Sequence, residues 1–217
     1  MTAVSAARVA FSPASQVAHL LFGDAQEMHG FTMRAVSHVD GPSPREQTAL
    51  LWRTDVLKGR PTLTVQSSDP AADYEAWRRA PGVSDVTVVP DVIARLGKRL
   101  TAGSTLRFMV RANATRVITS PEGSKRRVPV TDHDALIAWL ARQGEGAFTL
   151  ATSMFDDSPD VAVETEGLVK VQPRGATFGS VSFRGTLVVQ DETQMKTLIA
   201  TGLGRGKAFG FGLLQVA

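Results

Sequence analysis

The sequence has no cysteine, a single tyrosine and no long run of apolar residues. The lack of cysteine excludes disulfides, a thiolate nucleophile and a thiolate metal site. No apolar stretch is long enough to span a bilayer, and residues 1–10 lack the charged start and long apolar core of a signal peptide. We therefore expect a cytoplasmic protein that does not enter a membrane.

Metal-ligand motifs are also missing. The four histidines, His19, His29, His38 and His133, are scattered and show neither HExxH nor paired-carboxylate spacing. We therefore expect no metal and no cofactor. Without them, RNA still offers a route to strand cleavage, because its own 2′-OH can attack the adjacent phosphorus. That reaction needs proton transfer, and histidine, whose unperturbed pKa is about 6.5, suits it near neutral pH.

The charge is modest overall but unevenly distributed along the chain. The net charge is +3, yet residues 95–127 hold nine basic residues and one acid, Glu122. Residues 156–166 hold five acids and no base. A basic stretch of this kind is typical of proteins that bind nucleic acid or another polyanion, although a solvated charged face would give the same pattern.

A glycine-rich stretch close to the C-terminus is the most distinctive motif. Two Gly-apolar-Gly triplets flank five residues, two of them basic, and the candidate phosphate-binding residues are Gly202, Gly204, Arg205, Gly206, Lys207, Gly210 and Gly212. Successive backbone N–H groups in such a loop form a concavity of anion size. We call residues 202–212 the glycine loop.

Two alternatives to a phosphate-docking loop are a flexible tail and a nucleotide-binding P-loop. The alternation of glycine with large apolar residues predicts packed side chains and disfavours the tail. A P-loop needs Ser or Thr after its lysine and a following helix, whereas Ala208 follows Lys207 and the chain has only a short apolar run left. The loop therefore favours an extended phosphate backbone over a triphosphate.

Pattern and turn signals predict the same order of elements twice. In the first half we predict strands at residues 4–11, 48–53, 62–67 and 83–89, a helix that begins at Asp24, and a short polar helix at 73–79. In the second half we predict strands at 105–112, 148–154, 161–171, 181–190 and 211–216, with helices at 132–143 and 191–201. The order βαββαβ is a ferredoxin-like unit. We predict an α+β protein with two tandem ferredoxin-like domains, residues 1–95 and 103–217.

Four segments carry a resemblance to known proteins. Gln26-Glu27-Met28-His29 opens a helix, Arg107 to Asn113 ends a strand, Lys125 to Pro129 starts another, and the glycine loop follows. The loop resembles the motif of the RAMP superfamily of CRISPR-associated RNA-binding proteins. All four in this order resemble the CasE family, the CRISPR RNA-processing endoribonucleases of the type I-E surveillance complex (Cascade).

This resemblance implies a metal-independent endoribonuclease. It would bind the stem-loop of CRISPR repeat RNA and cleave the transcript at the 3′ base of the hairpin, leaving a 5′-OH and a 2′,3′-cyclic phosphate. It would then stay bound as a subunit of the complex, in contact with other subunits and especially the backbone subunit. His29 occupies the place of the family's catalytic histidine. Gln26 stands where members often carry a tyrosine, so the second proton-transfer group stays open.

The remaining candidate residues are predicted to bind RNA. Arg111, Arg116, Lys125, Arg126 and Arg127 flank a glycine-containing loop, and Lys170 and Arg174 lie in a segment that resembles the family's basic hairpin. A-form RNA is recognised mostly by shape and phosphate position, which suits scattered basic residues. Trp52 and Trp139 have apolar neighbours that favour core packing over base stacking.

Two other functions remain open at this point. The first is a non-catalytic RNA-hairpin-binding RAMP subunit in which His29 is structural and Gln26 marks the loss of chemistry. The second is an unrelated small-molecule enzyme on the same fold, for which the sequence offers no pocket motif. Incubation with labelled repeat RNA in EDTA separates these possibilities.

Overall fold

The computed structural model describes residues 3–171 and 175–217. Its strands are β1 (Ser5–Phe11), β2 (Leu51–Leu57), β3 (Arg60–Ser67), β4 (Val83–Val89), β5 (Thr105–Ala112), β6 (Thr115–Thr119), β7 (Lys125–Pro129), β8 (Phe148–Leu150), β9 (Val161–Val171), β10 (Ala176–Val189) and β11 (Gln215–Val216). Its α-helices are α1 (Gln16–Gly23), α2 (Ala25–Met33), α3 (Pro44–Gln47), α4 (Val92–Leu96), α5 (His133–Gln143) and α6 (Glu192–Thr201).

The N-terminal half forms a four-stranded antiparallel sheet in the order β2-β3-β1-β4. Along β1, Ala7, Val9 and Phe11 are buried towards the helices, while Arg8 between them is exposed on the other face. Helices α1 and α2 connect β1 to β2, and a 3-10 turn at Glu75–Arg79 connects β3 to β4. This is the predicted ferredoxin-like unit.

The C-terminal half repeats that strand order as β11-β5-β10-β8. Helix α5 connects β5 to β8, and α6 connects β10 to β11. Two hairpins are added to the unit: β6–β7 forms its own two-stranded sheet, and β9 pairs with most of β10 beyond the short β8. The fold class is therefore α+β with two tandem ferredoxin-like units, as the sequence predicted.

Each half has its own buried apolar cluster. The first contains residues between Ala7 and Val86, and the second contains residues between Leu96 and Leu214. Helix α4 and the 3-10 turn after it lie in the predicted boundary region, and they contribute Leu96 and Leu100 to the second cluster.

Several predicted elements match the structure closely. Strands β4, β5 and β9 have the predicted bounds, and Asp24, Asp132 and Asp191 cap the N-termini of α2, α5 and α6 with their carboxylates. These matches rest on local signals, because alternation defines a strand and a carboxylate at the N-cap satisfies free N–H groups.

Other boundaries were wrong. Strand β2 begins at Leu51 rather than at residue 48, because the preceding residues belong to α3 and its C-cap. The last strand covers Gln215–Val216 rather than 211–216, because the glycine loop extends to Gly212. The sequence also gave no prediction of α1 or β6. In the described part of the chain, no helix is both long and apolar enough to cross a membrane.

Candidate active site and nucleic-acid interface

Helix α2 carries both predicted catalytic residues near its start. The Asp24 carboxylate accepts hydrogen bonds from the backbone N–H groups of Gln26 and Glu27, which fixes the first turn. His29 lies one turn after Gln26, so the two side chains share one side of the helix. Met28 on the adjacent face is buried in the core, which anchors the helix while His29 remains partly exposed.

The glycine loop packs against this helix and against the N-terminal sheet. The rings of His29 and Phe209 meet edge to face, with centroids 6.2 Å apart. Phe209 in turn packs against Phe178 of β10, with ring centroids 5.1 Å apart. The indole N–H of Trp52 donates to the carbonyl of Ala208 at 3.1 Å, so the loop joins the two halves directly beside the candidate catalytic helix.

Glycine is required in this loop by the protein's own packing. Gly210 has φ of +83°, and a Cβ on it would lie 2.7 Å from the Trp52 ring. Gly212 has φ of +87°, and a Cβ there would lie 2.3 Å from the carbonyl oxygen of Leu203. The Leu203 N–H donates to the Gly212 carbonyl at 3.0 Å, which closes the loop on itself. The predicted packing of the loop is therefore present.

The two basic residues of the loop have different surroundings. Arg205 is exposed and forms an isolated β-bridge with Asn113 at the end of β5. Lys207 is half-buried, and this burial, together with the nearby Arg45 guanidinium, lowers the pKa of its ammonium group. Arg205 is thus the more accessible of the two loop cations.

A cavity of about 340 Å³ opens beside α2, between the two halves. Its lining includes Met28 of α2, Trp52 of β2, Arg111 of β5, Lys170 of β9 and Phe209 of the glycine loop. The structure therefore brings two of the predicted RNA-binding residues to the edge of the predicted catalytic helix. Phe209 had not been predicted as a site residue, and its position directly before the second Gly-apolar-Gly triplet is the signal that marks it.

Arg111 has partners within the protein. Its Nε donates to the Glu166 carboxylate at 2.7 Å and to the Ser180 hydroxyl at 2.8 Å, and its guanidinium lies 5.3 Å from the centre of the Phe211 ring. Glu166 is the extra residue of a β-bulge, and it also accepts a hydrogen bond from Ser182. Burial would raise the pKa of Glu166, but the Ser182 hydrogen bond and the Arg111 charge lower it overall.

The other predicted RNA-binding cations are exposed on the two added hairpins. Arg116 lies on β6, Lys125, Arg126 and Arg127 lie on β7, and Lys170 lies on β9. None of these five side chains forms a salt bridge or a hydrogen bond with another described residue. Arg174 lies outside the described residues, so the structure does not place it.

The three tryptophans and the single tyrosine are buried in the apolar cores. Trp52, Trp77 and Trp139 are each at least 95% buried, as expected for Trp52 and Trp139. The single tyrosine, Tyr74, is buried and donates its hydroxyl proton to the Ser5 carbonyl. Burial raises the pKa of Tyr74 to about 12. The only tyrosine of the chain is therefore held in the core by Ser5 and is not placed to act as a proton-transfer group.

Two properties of the α2 side chains bear on chemistry. The Gln26 Oε1 atom is shielded from solvent and has no hydrogen-bond partner among the described residues. The His29 Nδ1 atom is shielded as well, and the rest of the ring is only partly covered. Among residues 3–171 and 175–217, no group of three or more His, Cys, Asp or Glu side chains is arranged to hold a metal ion.

Comparison with known proteins gives consistent similarities over the whole chain. A family model described as CRISPR associated protein matches residues 6–217. The CRISPR-associated endoribonuclease Cse3 of Thermus thermophilus is 27% identical, with 97% of this chain and 98% of that protein covered. A structure of Thermus thermophilus Cse3 bound to an RNA representing a pre-cleavage complex matches with 28% identity, a TM-score of 0.79 and 99% coverage of both chains. The CRISPR-associated protein Cas6e from Escherichia coli shares the fold at 20% identity and a TM-score of 0.63, with 99% and 98% coverage.

Proposed function

The chain belongs to the CRISPR-associated protein family whose model spans residues 6–217, and from this membership we propose that it is a metal-independent endoribonuclease of CRISPR repeat transcripts. It binds the stem-loop of the repeat RNA and cleaves at the 3′ base of the hairpin. Its relative in Thermus thermophilus is named as a CRISPR-associated endoribonuclease, which supports the assignment.

The observation that carries this proposal is the meeting of α2 with the glycine loop. His29 contacts Phe209 of the loop, and the cavity beside them holds Lys170 at its edge. The cavity is lined by Met28, which precedes His29, so the proton-transfer group of one half lies next to an opening that a phosphate-binding cation of the other half also reaches. An RNA strand that crosses this opening has its scissile phosphate near His29.

The proposed reaction uses the 2′-OH of the nucleotide before the scissile bond. Its oxygen attacks the phosphorus, the bond from phosphorus to the 5′-oxygen breaks, and the products carry a 2′,3′-cyclic phosphate and a 5′-OH. His29 transfers a proton in this step, and such groups contribute about a hundred- to ten-thousand-fold to the rate. Gln26 cannot exchange a proton usefully and its Oε1 is shielded, so the amide nitrogen of Gln26 is the group that can donate a hydrogen bond to orient the RNA.

Binding rests on the C-terminal half. Arg116 and Arg126 are exposed on one face of the β6–β7 hairpin and Lys125 and Arg127 on the other; we call these four cations the basic strip, and Arg205 adds a cation from the glycine loop. Unpaired cations on an exposed hairpin suit the phosphates of an A-form stem. Arg111 is engaged by Glu166, so we propose that it contributes mainly by holding β9 in place beside the cavity.

The protein then stays on the hairpin as a cytoplasmic subunit of a type I-E surveillance complex, in contact with its backbone subunit. We also propose that residues 1–95 and 103–217 fold as two domains. The separate apolar clusters support this division, although α4 in the boundary region packs against the second cluster.

One observation favours a second candidate function, a non-catalytic hairpin-binding subunit. Gln26 takes the place of the tyrosine, and Tyr74 is held in the core by Ser5, so no phenol reaches the site from the described residues. In this alternative His29 contributes only to packing against Phe209, and the basic strip on β6–β7 carries the whole function.

Labelled repeat RNA incubated with the protein in EDTA tests the proposal directly. We expect cleavage at the 3′ base of the hairpin without added metal. A single 2′-deoxy substitution before the scissile bond should block the reaction while leaving binding intact. Cleavage that requires magnesium, or that survives the deoxy substitution, contradicts the mechanism; binding without cleavage supports the second candidate.

A further inference from the structure

The two sheets leave a second opening on the side away from α2. The helices cover the face of the N-terminal sheet that carries Val9 and Val65, whereas Arg8 and Thr64 point to the opposite face. A cavity of about 550 Å³ lies on that opposite face, bounded by α4, the last turn of α6 and β11. It is therefore separate from the cavity beside His29.

This cavity continues into a neighbouring one of about 410 Å³. The two share lining residues, among them Arg8, Thr64 and Gln215, so they form one continuous cleft between the sheets. The N-terminal sheet provides one wall, and β5, β10 and β11 of the C-terminal half provide the other. We call this the inter-sheet cleft.

Five arginines line the inter-sheet cleft: Arg8, Arg95, Arg99, Arg107 and Arg184. All five are exposed, and none forms a salt bridge or a hydrogen bond with its side chain in the described part of the chain. Among the described residues of the lining, Asp55 is the one acidic side chain, and Arg53 already binds it at 2.7 Å. The cleft thus holds five arginines that have no acidic side-chain partner, and the carboxyl group of Ala217 also lies in its lining.

Such an arrangement is costly unless an anion occupies it. Like charges on facing walls repel, and a cleft with low-dielectric walls concentrates their field. An exposed arginine on a convex surface is solvated, but here both halves direct arginines into the same opening. Three of these five, Arg95, Arg99 and Arg107, belong to the basic stretch at residues 95–127. They are members of that stretch to which the proposed function gives no role.

We propose that the inter-sheet cleft binds the phosphates of single-stranded RNA on the 5′ side of the hairpin. This inference rests on the proposed function, because cleavage at the 3′ base releases the 3′ side and leaves the 5′ segment attached to the retained hairpin. The cleft is a second RNA site, on the other face of the N-terminal sheet from His29.

The lining favours a nucleic acid backbone as the occupant. Arginine forks bind phosphate oxygens in pairs. The one aromatic residue among the described lining residues, Phe108, is 4% exposed, so bases have no ring to stack on. Recognition is therefore of phosphates and independent of sequence. An acidic protein segment is the competing occupant and is an outcome of the test below.

The test compares two RNAs that carry a 2′-deoxy block at the scissile position. One is the bare hairpin, and the other adds a 5′ single strand of roughly eight nucleotides. The variants are the pair Arg107→Ala and Arg184→Ala on one wall, and the pair Arg95→Ala and Arg99→Ala on α4 and the turn after it. The matched control removes two exposed charges outside the cleft, with Arg79→Ala and Arg142→Ala.

We expect the 5′ strand to tighten binding by the wild type about tenfold at low salt. Either cleft pair should remove most of this gain and lower the salt slope for the extended RNA by about 1.4, the value for two phosphate contacts to a single strand. Binding of the bare hairpin, and the rate at saturation with which the same hairpin is cleaved when it lacks the deoxy block, should stay within about twofold of wild type. The control pair should keep the full gain.

The inference is overturned if the 5′ strand adds nothing to binding by the wild type, or if the control pair loses the gain as fully as the cleft pairs. If the 5′ strand adds nothing and the wild type instead binds an oligoglutamate peptide that the cleft pairs no longer bind, the cleft is assigned to an acidic protein segment. Failure of the bare hairpin to bind, or of its unblocked form to be cut, tests the proposed function instead, so the two failures are distinguishable.

Discussion

The two halves of the molecule share one strand order but differ in what is attached to it. The N-terminal half places α1, α2 and α3 between β1 and β2, has a 3-10 turn in place of its second helix, and joins β2 to β3 by a two-residue turn at Lys58 and Gly59. The C-terminal half adds the β6–β7 hairpin, the long β9–β10 hairpin and the glycine loop. The strand order is thus repeated, while the added hairpins and the glycine loop are confined to one copy.

This difference suggests a division of labour. The proposed proton-transfer group, His29, lies on the first helix connection of the N-terminal unit, and nearly all proposed RNA-binding cations lie on additions to the C-terminal unit. Helices held by a core are rigid, which suits a group that needs fixed geometry. Exposed hairpins present rows of cations along a stem. The glycine loop then ties the two functions together through Trp52 and Phe209.

The largest expected effect tests whether chemistry belongs to the N-terminal half alone. His29→Ala should lower the cleavage rate at saturating RNA by about a hundred- to ten-thousand-fold, because it removes a proton-transfer group. The dissociation constant should change by less than about tenfold, since affinity rests on cations of the other half. Single-turnover cleavage and filter binding measure the two quantities. If the variant cuts as fast as wild type, the chemistry moves to another residue, with His19 and His38 next.

The second prediction tests the junction between the halves. Gly210→Ala should lower the free energy of unfolding by about 2–5 kcal/mol, because it combines positive φ with a clash against Trp52. Gly103→Ala, before β5, is the matched control: it has the same φ of +83° but no atom within 4 Å of the added Cβ. That variant should lose about 1–2 kcal/mol. RNA binding at a temperature where both are folded should weaken only for Gly210→Ala.

Equal losses of stability for the two glycine variants would show that backbone conformation alone matters and that the contact with Trp52 does not. Normal RNA binding by a folded Gly210→Ala protein would separate the glycine loop from the RNA. Chemical denaturation with linear extrapolation measures the losses of stability, and its slope reports whether both halves still unfold together. The RNA-binding assay on the folded variants measures the second case.

The third prediction tests whether affinity for the RNA hairpin depends on the C-terminal half. Arg126→Ala with Arg127→Ala should weaken hairpin binding by about tenfold and flatten the salt dependence by about 1.8, the value for two phosphate contacts to a duplex. The rate at saturation should hardly change. The control removes two exposed cations from the hairpin of the other half, with Lys58→Ala and Arg60→Ala. Equal weakening by the control pair would mean that general charge, not the β6–β7 strip, determines affinity.

The sequence predicted most of the scaffold, because the signals that define it are local. Alternation identified β4, β5 and β9, and capping carboxylates identified α2, α5 and α6. Helix α1 was not predicted, because its apolar residues do not mark one buried face. It buries Ala18 and Leu21, but it leaves Leu20 71% exposed, so the helical period is obscured.

The site was predicted less completely, for reasons that lie in tertiary contacts. The motif around His29 identified the helix, but no local pattern shows that Phe209 would meet it from a distance of 180 residues along the chain. The same holds for Arg111, whose partner Glu166 is held on a β-bulge of a different strand. The glycine loop was predicted to dock RNA, whereas its Gly210 also fits closely against the protein's own Trp52, a contact that only the fold reveals.

The last prediction compares how the stability of the two halves responds to pH. In the N-terminal core, burial raises the pKa of Tyr74 to about 12, above its unfolded value near 10. The folded state therefore keeps the proton that the unfolded state loses, so stability is fully present below pH 10 and falls as the pH rises towards 12. The loss is about 2–3 kcal/mol. Tyr74→Phe should remove this alkaline loss, which denaturation at several pH values measures.

In the C-terminal half the dependence has the opposite direction. The pKa of Glu166 is raised by burial but lowered overall by Ser182, Arg111 and Ser180, so its contribution is present above its unfolded pKa near 4.3 and is lost as the pH falls through the folded value. Glu166→Gln should abolish this acid loss and leave the alkaline loss from Tyr74 unchanged. Because Glu166 is only half-buried, solvent screening keeps its effect below that of Tyr74. If either substitution removes the dependence at both ends of the pH range, the two halves do not titrate independently, and the division between them is weaker than their separate cores imply.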